Sequence, residues 1–195
     1  MKFRLFLFPV FILSAVLLSL IHKSNEPVLD VKVEIEETVY EYEPADNGAG
    51  PMWCHGNTCI VRSGDNVVVS GLETLKNVEP LHNTRWMLFE RTDIGWELLQ
   101  KDEKGRTREP CPLGLMNNRK ILLSANPTLT EPGSYNGLAE PQILQFDIED
   151  LHTTYETLMP VWDGAPEFTE HSYRSFVVDS PANELIQHIL ANIFS

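Results

Sequence analysis

From residue 28 onward the apolar positions fall in short runs and alternations, separated by clusters of turn-forming residues. Residues 28–42 alternate, with Val31, Val33 and Ile35 on one parity and Lys32, Glu34 and Glu36 on the other. That period of two predicts a strand with one wet face, and its acidity suits a sheet edge. Residues 44–51 hold Gly48 and Gly50 between prolines and predict a loop. Four short strands are expected next, at 57–62, 67–71, 85–91 and 96–100. The first pair turns through Gly64 and Asp65, the last pair through a tight turn at 92–95, and a polar stretch containing Pro80 joins the two pairs.

The pattern then restarts. Residues 111–116 match the first strand, 119–125 match the second, and Asn117-Asn118 stand where Gly64-Asp65 stood. GLETL at 71–75 aligns with ANPTL at 125–129, an offset of 54. Residues 141–147 and 156–161 supply the third and fourth strands, and a third copy opens over 171–179. A period in the fifties with four strands per unit favours radially arranged blades. The expected fold of residues 50–195 is therefore all-β, a partial β-propeller of about two and a half four-stranded antiparallel blades. A closed ring takes about four to eight blades, so either this chain is a fragment or its open blade edges pack against a partner or, by self-association, another copy. Two readings compete at the end of the chain. Ser180-Pro181 can start a helix whose one face carries Leu185, Ile186, Ile189, Leu190, Ile193 and Phe194. Repeat logic makes 184–186 a strand instead. The local pattern is followed here, which gives a short C-terminal helix.

The first 27 residues stand apart from this pattern. Lys2 and Arg4 precede an uncharged apolar run over residues 5–21, followed by His22 and Lys23. This predicts an apolar targeting helix, hence an exported protein that is periplasmic, secreted or membrane-anchored by its N-terminus. A cleaved signal and an uncleaved anchor both remain open, and membrane contact is expected only through 5–21 if the segment stays. The expected division is 1–27 for targeting, 28–49 for an acidic strand and linker, and 50–195 for the propeller portion.

Composition narrows the function. With 43% hydrophobic and 22% charged residues the chain is globular, and 195 residues suffice for a core. A net charge of −13 with no Lys/Arg cluster excludes nucleic acid as a partner, since phosphates would be repelled. Phosphate-binding loops, nucleophile elbows and His-Glu-x-x-His motifs do not occur. No cofactor is expected, and no metal, because the Cys and His spacings fit no zinc pattern. Export would place Cys54, Cys59 and Cys111 in an oxidising compartment, where Cys54–Cys59 and Cys54–Cys111 bridges and three free thiols all stay open.

The runs GPMWCHGNTCIVRSGD, NTRWMLFER and GRTREPCPLG resemble the N-terminal blades of exported bacterial sialidase-like propellers, relatives of the neuraminidase (BNR, Asp-box) repeat proteins. The resemblance spans residues 44–180. It implies that Thr92-Asp93-Ile94-Gly95-Trp96 is a degenerate Asp-box in the turn between third and fourth strands, with Asp93 bonding backbone amides and Gly95 at positive φ. It also implies a ligand at the central mouth, where the innermost strands begin. The aligned starts hold His55, Glu109 and His171, with Arg108 and Glu170 beside them. Glu109 and His55 are the catalytic candidates, and Arg108, Arg85, His171 and Tyr173 the ligand-binding ones, a set of acid, base and cation suited to a carboxylated sugar. Each reads equally as a hydrogen-bonded loop residue or a surface ion pair. The four tryptophans read as blade packing before sugar stacking. The Arg-Ile-Pro motif of sialidases is missing, and only Glu109 and Glu170 can serve as paired carboxylates. The expected activity is binding or hydrolysis of an extracellular glycan by the complete form. The alternatives are a non-catalytic carbohydrate-binding or surface-assembly module and an inactive fragment.

Overall fold

The computed structural model describes residues 31–53, 57–164 and 167–190, without the side chains of Tyr173 and Leu190. The chain forms two units, Met1–Glu36 and Glu37–Ser195. In the first, described residues 31–36 are exposed and carry no regular secondary structure. The apolar run at 5–21 lies outside the described residues.

The second unit is all-β and antiparallel, with no helix among its described residues. Its strands in chain order are β1 (Ile60–Ser63), β2 (Asn66–Thr74), β3 (Thr84–Thr92), β4 (Gly95–Lys101), β5 (Leu113–Leu115) and β6 (Lys120–Ala125). They continue with β7 (Leu138–Ala139), β8 (Gln142–Asp147), β9 (Glu156–Leu158), β10 (Phe168–Thr169), β11 (Tyr173–Asp179) and β12 (Glu184–Leu190). Two four-stranded meanders result, β1-β2-β3-β4 and β5-β6-β8-β9. They are joined by the hairpin β11-β12 and the short ladder β10-β7. The repeat is thus real at the level of the four-stranded unit. The sheets are open, and none closes on itself.

Local chemistry sets the turns. Gly64 takes φ +62° between paired Ser63 and Asn66, a conformation that costs glycine nothing. In the second copy the positive φ of 64° falls on Arg119, and the Asn118 side chain accepts the Lys120 N–H at 3.3 Å. The turn at 92–95 closes as expected, with Gly95 at φ +124°. Its side-chain bonds come from Thr92, however, whose hydroxyl donates to the Gly95 carbonyl (2.9 Å) and accepts the Ile94 N–H (3.3 Å). Asp93 is exposed, so the role expected of it falls to its neighbour.

Two stacking contacts build the core. One apolar cluster joins β1–β3 to β5, β6 and β8 through Val68, Trp86, Leu88, Ile121, Leu123 and Phe146. Trp86, 1% exposed, meets the Phe146 and Tyr155 rings edge-on at 6.0 and 5.6 Å. A second cluster joins Leu122 and Ile143 to Phe176 on the hairpin. Leu122 and Leu123 therefore point to opposite faces and both are buried, which is why β6 reads as a continuous apolar run. The first strands of all three copies lie together. Leu113 N–H bonds the Thr58 carbonyl at 2.9 Å, and Asn57 clamps β11 by donating to Arg174 O (3.1 Å) and accepting from Phe176 N (2.6 Å). Gly114 permits this approach, since a Cβ there would sit 2.4 Å from Val178.

Two expectations are corrected. The described part of 28–42 forms no strand. Within the second unit this stretch is a strap over the first meander. Glu37 accepts from Nε and Nη2 of Arg91 (2.8 and 2.7 Å) and from the Trp96 indole N–H (3.1 Å). Tyr40 stacks on Phe89 at 5.3 Å, and its hydroxyl accepts the Leu72 N–H. The alternating residues 31–36 stay exposed, and it is Glu37 and Tyr40 beyond them that fasten the chain, by side chains and not by a ladder. The C-terminal helix expected after Ser180 is a strand over its described part. Asn183 turns the chain at φ +56°, and all seven residues of β12 then pair with β11. Leu185, Gln187 and Ile189 face inward and Glu184, Ile186 and His188 outward. The apolar stripe fitted both periods, and pairing with β11 selected the shorter one.

Candidate functional site

The segments leading into β5 and β11 carry a dense set of buried polar side chains. Thr84 and Thr107 hold each other by reciprocal backbone bonds of 3.1 and 2.7 Å, and the Thr84 hydroxyl adds a third at 2.7 Å. This bridge orients Arg106, Arg108 and Glu109, all buried. Arg106 donates to the carbonyls of His82 (3.3 Å) and Thr130. Arg108 donates to Asn47 O at 3.0 Å and pairs with Glu109 Oε1 at 3.1 Å. Asn47, 1% exposed, fastens the strap here, its amide donating to the Leu81 and Arg108 carbonyls and to Asn83 Oδ1.

Glu170 faces this group from the β10–β11 turn. One oxygen lies 2.8 Å from His171 Nδ1, and the other accepts the Gly137 N–H at 3.2 Å and stands 3.7 Å from His82 Nε2. Burial pushes the Glu170 carboxyl up, but its own backbone N–H, that of Gly137, and His171 outweigh it. The net position is below the ordinary carboxylate value. His82 is fully buried. Desolvation brings its imidazole down to about 4 against the pull of Glu170, with Arg106, Arg108 and His171 also opposing the charge. His82 is therefore neutral at pH 7, and neither ring nitrogen is hydrogen-bonded.

Arg174, the second residue of β11, is 7% exposed. Its Nη2 donates to Pro110 O at 3.2 Å and the guanidinium also meets the Cys111 thiol, while Nε and Nη1 are buried with no oxygen acceptor in reach. Beside it the Cys111 thiol is pushed up to about 12 by burial, which the Arg174 charge only partly offsets, so it is neither nucleophile nor ligand at neutral pH.

The candidates read from sequence divide accordingly. Arg108 and Glu109 form one buried pair, and buried Glu170 and half-buried His171 another pair. Arg85 is engaged elsewhere: it pairs with Glu73 directly across the β2–β3 ladder (2.5 Å) and reaches Asp102 O and Glu103. Tyr173 opens β11, its side chain outside the described part. Cys54 and His55 lie outside the described residues, and with them the shared half of both bridge candidates. Cys59 is half-buried just before β1, its carbonyl accepting the Ser70 N–H. Sequence reading missed Asn47, His82, Arg106 and Arg174. Only Arg174 had a signal, three positions past the aligned His171.

Chemically the cluster offers hydrogen-bond donors and positive charge, while Glu109 is paired with Arg108 and Glu170 is held by His171 and the Gly137 N–H. Among the described residues no group of three or more His, Cys, Asp or Glu could hold a metal, and no helix is long and apolar enough to cross a membrane. Compared with protein-family models, curated proteins and solved structures, the chain finds no match in any of the three.

Proposed function

We propose that the chain is an exported, sialidase-like propeller portion that binds an acidic extracellular saccharide through its carboxylate. Four observations support this reading. The four-stranded meander recurs, the strands β1, β5 and β11 lie together, the segments leading into β5 and β11 carry the polar cluster, and residues 1–23 have the pattern of a targeting segment. The observation that carries the ligand is Arg174. A buried guanidinium with two donors unpaired is costly unless a partner satisfies them, and its planar fork matches a carboxylate.

Binding is favoured over cleavage by the state of the acids. A glycosidase needs one carboxyl raised so that it can donate a proton at neutral pH. Glu170 is shifted the other way, and Glu109 is ion-paired with Arg108.

The test is titration calorimetry of the full chain with N-acetylneuraminic acid, its methyl ester and N-acetylglucosamine. The acid should bind at least about tenfold more tightly than its ester, one bidentate pair's worth, and Arg174→Gln should erase the difference. Equal affinity for acid and ester, or no binding of the acid, overturns the reading. Turnover of a fluorogenic sialoside that is lost in Glu170→Gln would show an enzyme instead.

A further inference from the structure

A separate cavity of about 280 Å³ opens between the β7–β10 ladder and the chain that follows β9. Its walls include Leu138, Met159, Trp162 and Phe168, and its described lining includes two carboxylates, Glu140 and Glu167, with no Lys, Arg or His. The Trp162 and Phe168 rings meet at 67° with centroids 5.5 Å apart, so two aromatic surfaces form a corner. The Trp162 indole nitrogen is buried and makes no hydrogen bond, so what this ring leaves accessible is carbon. Both glutamates are exposed at the rim.

These features select a ligand chemistry. An anion would be repelled by the two carboxylates on a chain of net charge −13. A neutral apolar molecule would use the rings and leave the acids without a role. A metal ion would find two carboxylates among carbon walls, too few oxygens to replace its water. A charge clothed in methyl groups satisfies both halves: its hydrocarbon surface packs on Trp162, Phe168 and Met159, its charge meets the negative ring faces, and the glutamates complete the field. The cavity lies just under the roughly 300–1,000 Å³ range of drug-sized sites, which limits the ligand to a small molecule.

We infer that this cavity is a binding site for a small quaternary ammonium compound of the choline type. The site is distinct from the buried polar cluster and does not rest on the saccharide reading. Choline enters with its trimethylammonium group in the Trp162–Phe168 corner, next to Met159 and within the field of Glu140 and Glu167.

Choline chloride, titrated into the full chain at constant ionic strength and followed by tryptophan fluorescence, tests this. Saturable binding is expected. The uncharged isostere 3,3-dimethylbutan-1-ol, alike in shape, should bind at least about tenfold more weakly, because it lacks the cation–π and ionic contributions. Trp162→Leu, read by titration calorimetry because it removes the reporter, should abolish binding. The double variant Glu140→Gln, Glu167→Gln alters only exposed side chains and keeps all tryptophans; it should weaken choline about three- to tenfold. Equal binding of choline and the isostere overturns the inference, as does an unchanged affinity in the double variant. So does the lack of saturation at roughly 50 mM choline, beyond any useful affinity.

Discussion

His82 keeps its imidazole out of water, facing the Glu170 carboxylate and near the Arg106, Arg108 and His171 side chains. Its pKa in the folded chain, about 4, is lower than the ordinary 6.5, so the folded protein refuses a proton that the unfolded chain accepts. Stability is therefore full above pH 6.5 and falls as the pH drops through the folded value, by up to about 3 kcal/mol for a shift of this size. Glu170 acts lower down, because its depressed carboxyl contributes above its ordinary value of 4.5 and fades only below it. Urea midpoints measured from about pH 7.5 to about pH 4.5 should decline, and His82→Gln should flatten that slope. An unchanged slope in the variant would mean that His82 takes up its proton as readily in the folded protein as in the unfolded chain. At this scale the sequence reached Arg108, Glu109, Glu170 and His171, because they stood at aligned strand starts. It did not reach Asn47 or His82, which act through bonds and charges spanning loops and leave no local pattern. Arg85 stands apart from the cluster for a reason the meander contains: strand pairing sets it opposite Glu73.

Strands declared themselves where turn chemistry and alternation agreed, as at Gly64-Asp65 and Thr92–Gly95. They misled where one pattern served two purposes. The alternation at 31–36 is consistent with a strand, but those residues stay exposed, and Glu37 and Tyr40 beyond them fix the chain to Arg91 and Phe89. The stripe at 185–190 fits a helix until β11 offers seven pairing positions. β6 shows what local reading cannot weigh, since a strand buried on both faces is visible in KILLSA, but the identity of the two neighbouring layers is not. Leu123 packs toward the first meander and Leu122 toward the hairpin. Leu122→Ala and Leu123→Ala should each cost about 2–5 kcal/mol, whereas Leu98→Ala on β4, at 43% exposure, should stay within about 0.5 kcal/mol. Urea unfolding of the three variants makes the comparison. A Leu122→Ala cost as small as that of Leu98→Ala would mean that the hairpin does not cover the second sheet.

At the scale of the second unit the question is whether its sheets unfold as one. The hairpin β11-β12 is bound to the rest by three kinds of contact: the apolar cluster around Leu122, Ile143 and Phe176, the Gln187–Ser124 bond of 2.7 Å, and the two bonds of Asn57. A two-stranded hairpin alone is marginal at best in water. Its stability must therefore come from β5, β6 and β8, which are themselves locked to β1–β3 by the larger cluster. A layer shared in this way transmits any loss on one side to the other. Thermal unfolding followed by far-ultraviolet circular dichroism and by tryptophan fluorescence should then show one coincident transition. Asn57→Ala removes both ties to β11, and at about 1–3 kcal/mol it should lower that single Tm by roughly 2–10 °C without splitting it. If the variant instead releases an early phase, with the Trp86 signal intact, the hairpin is an independent flap.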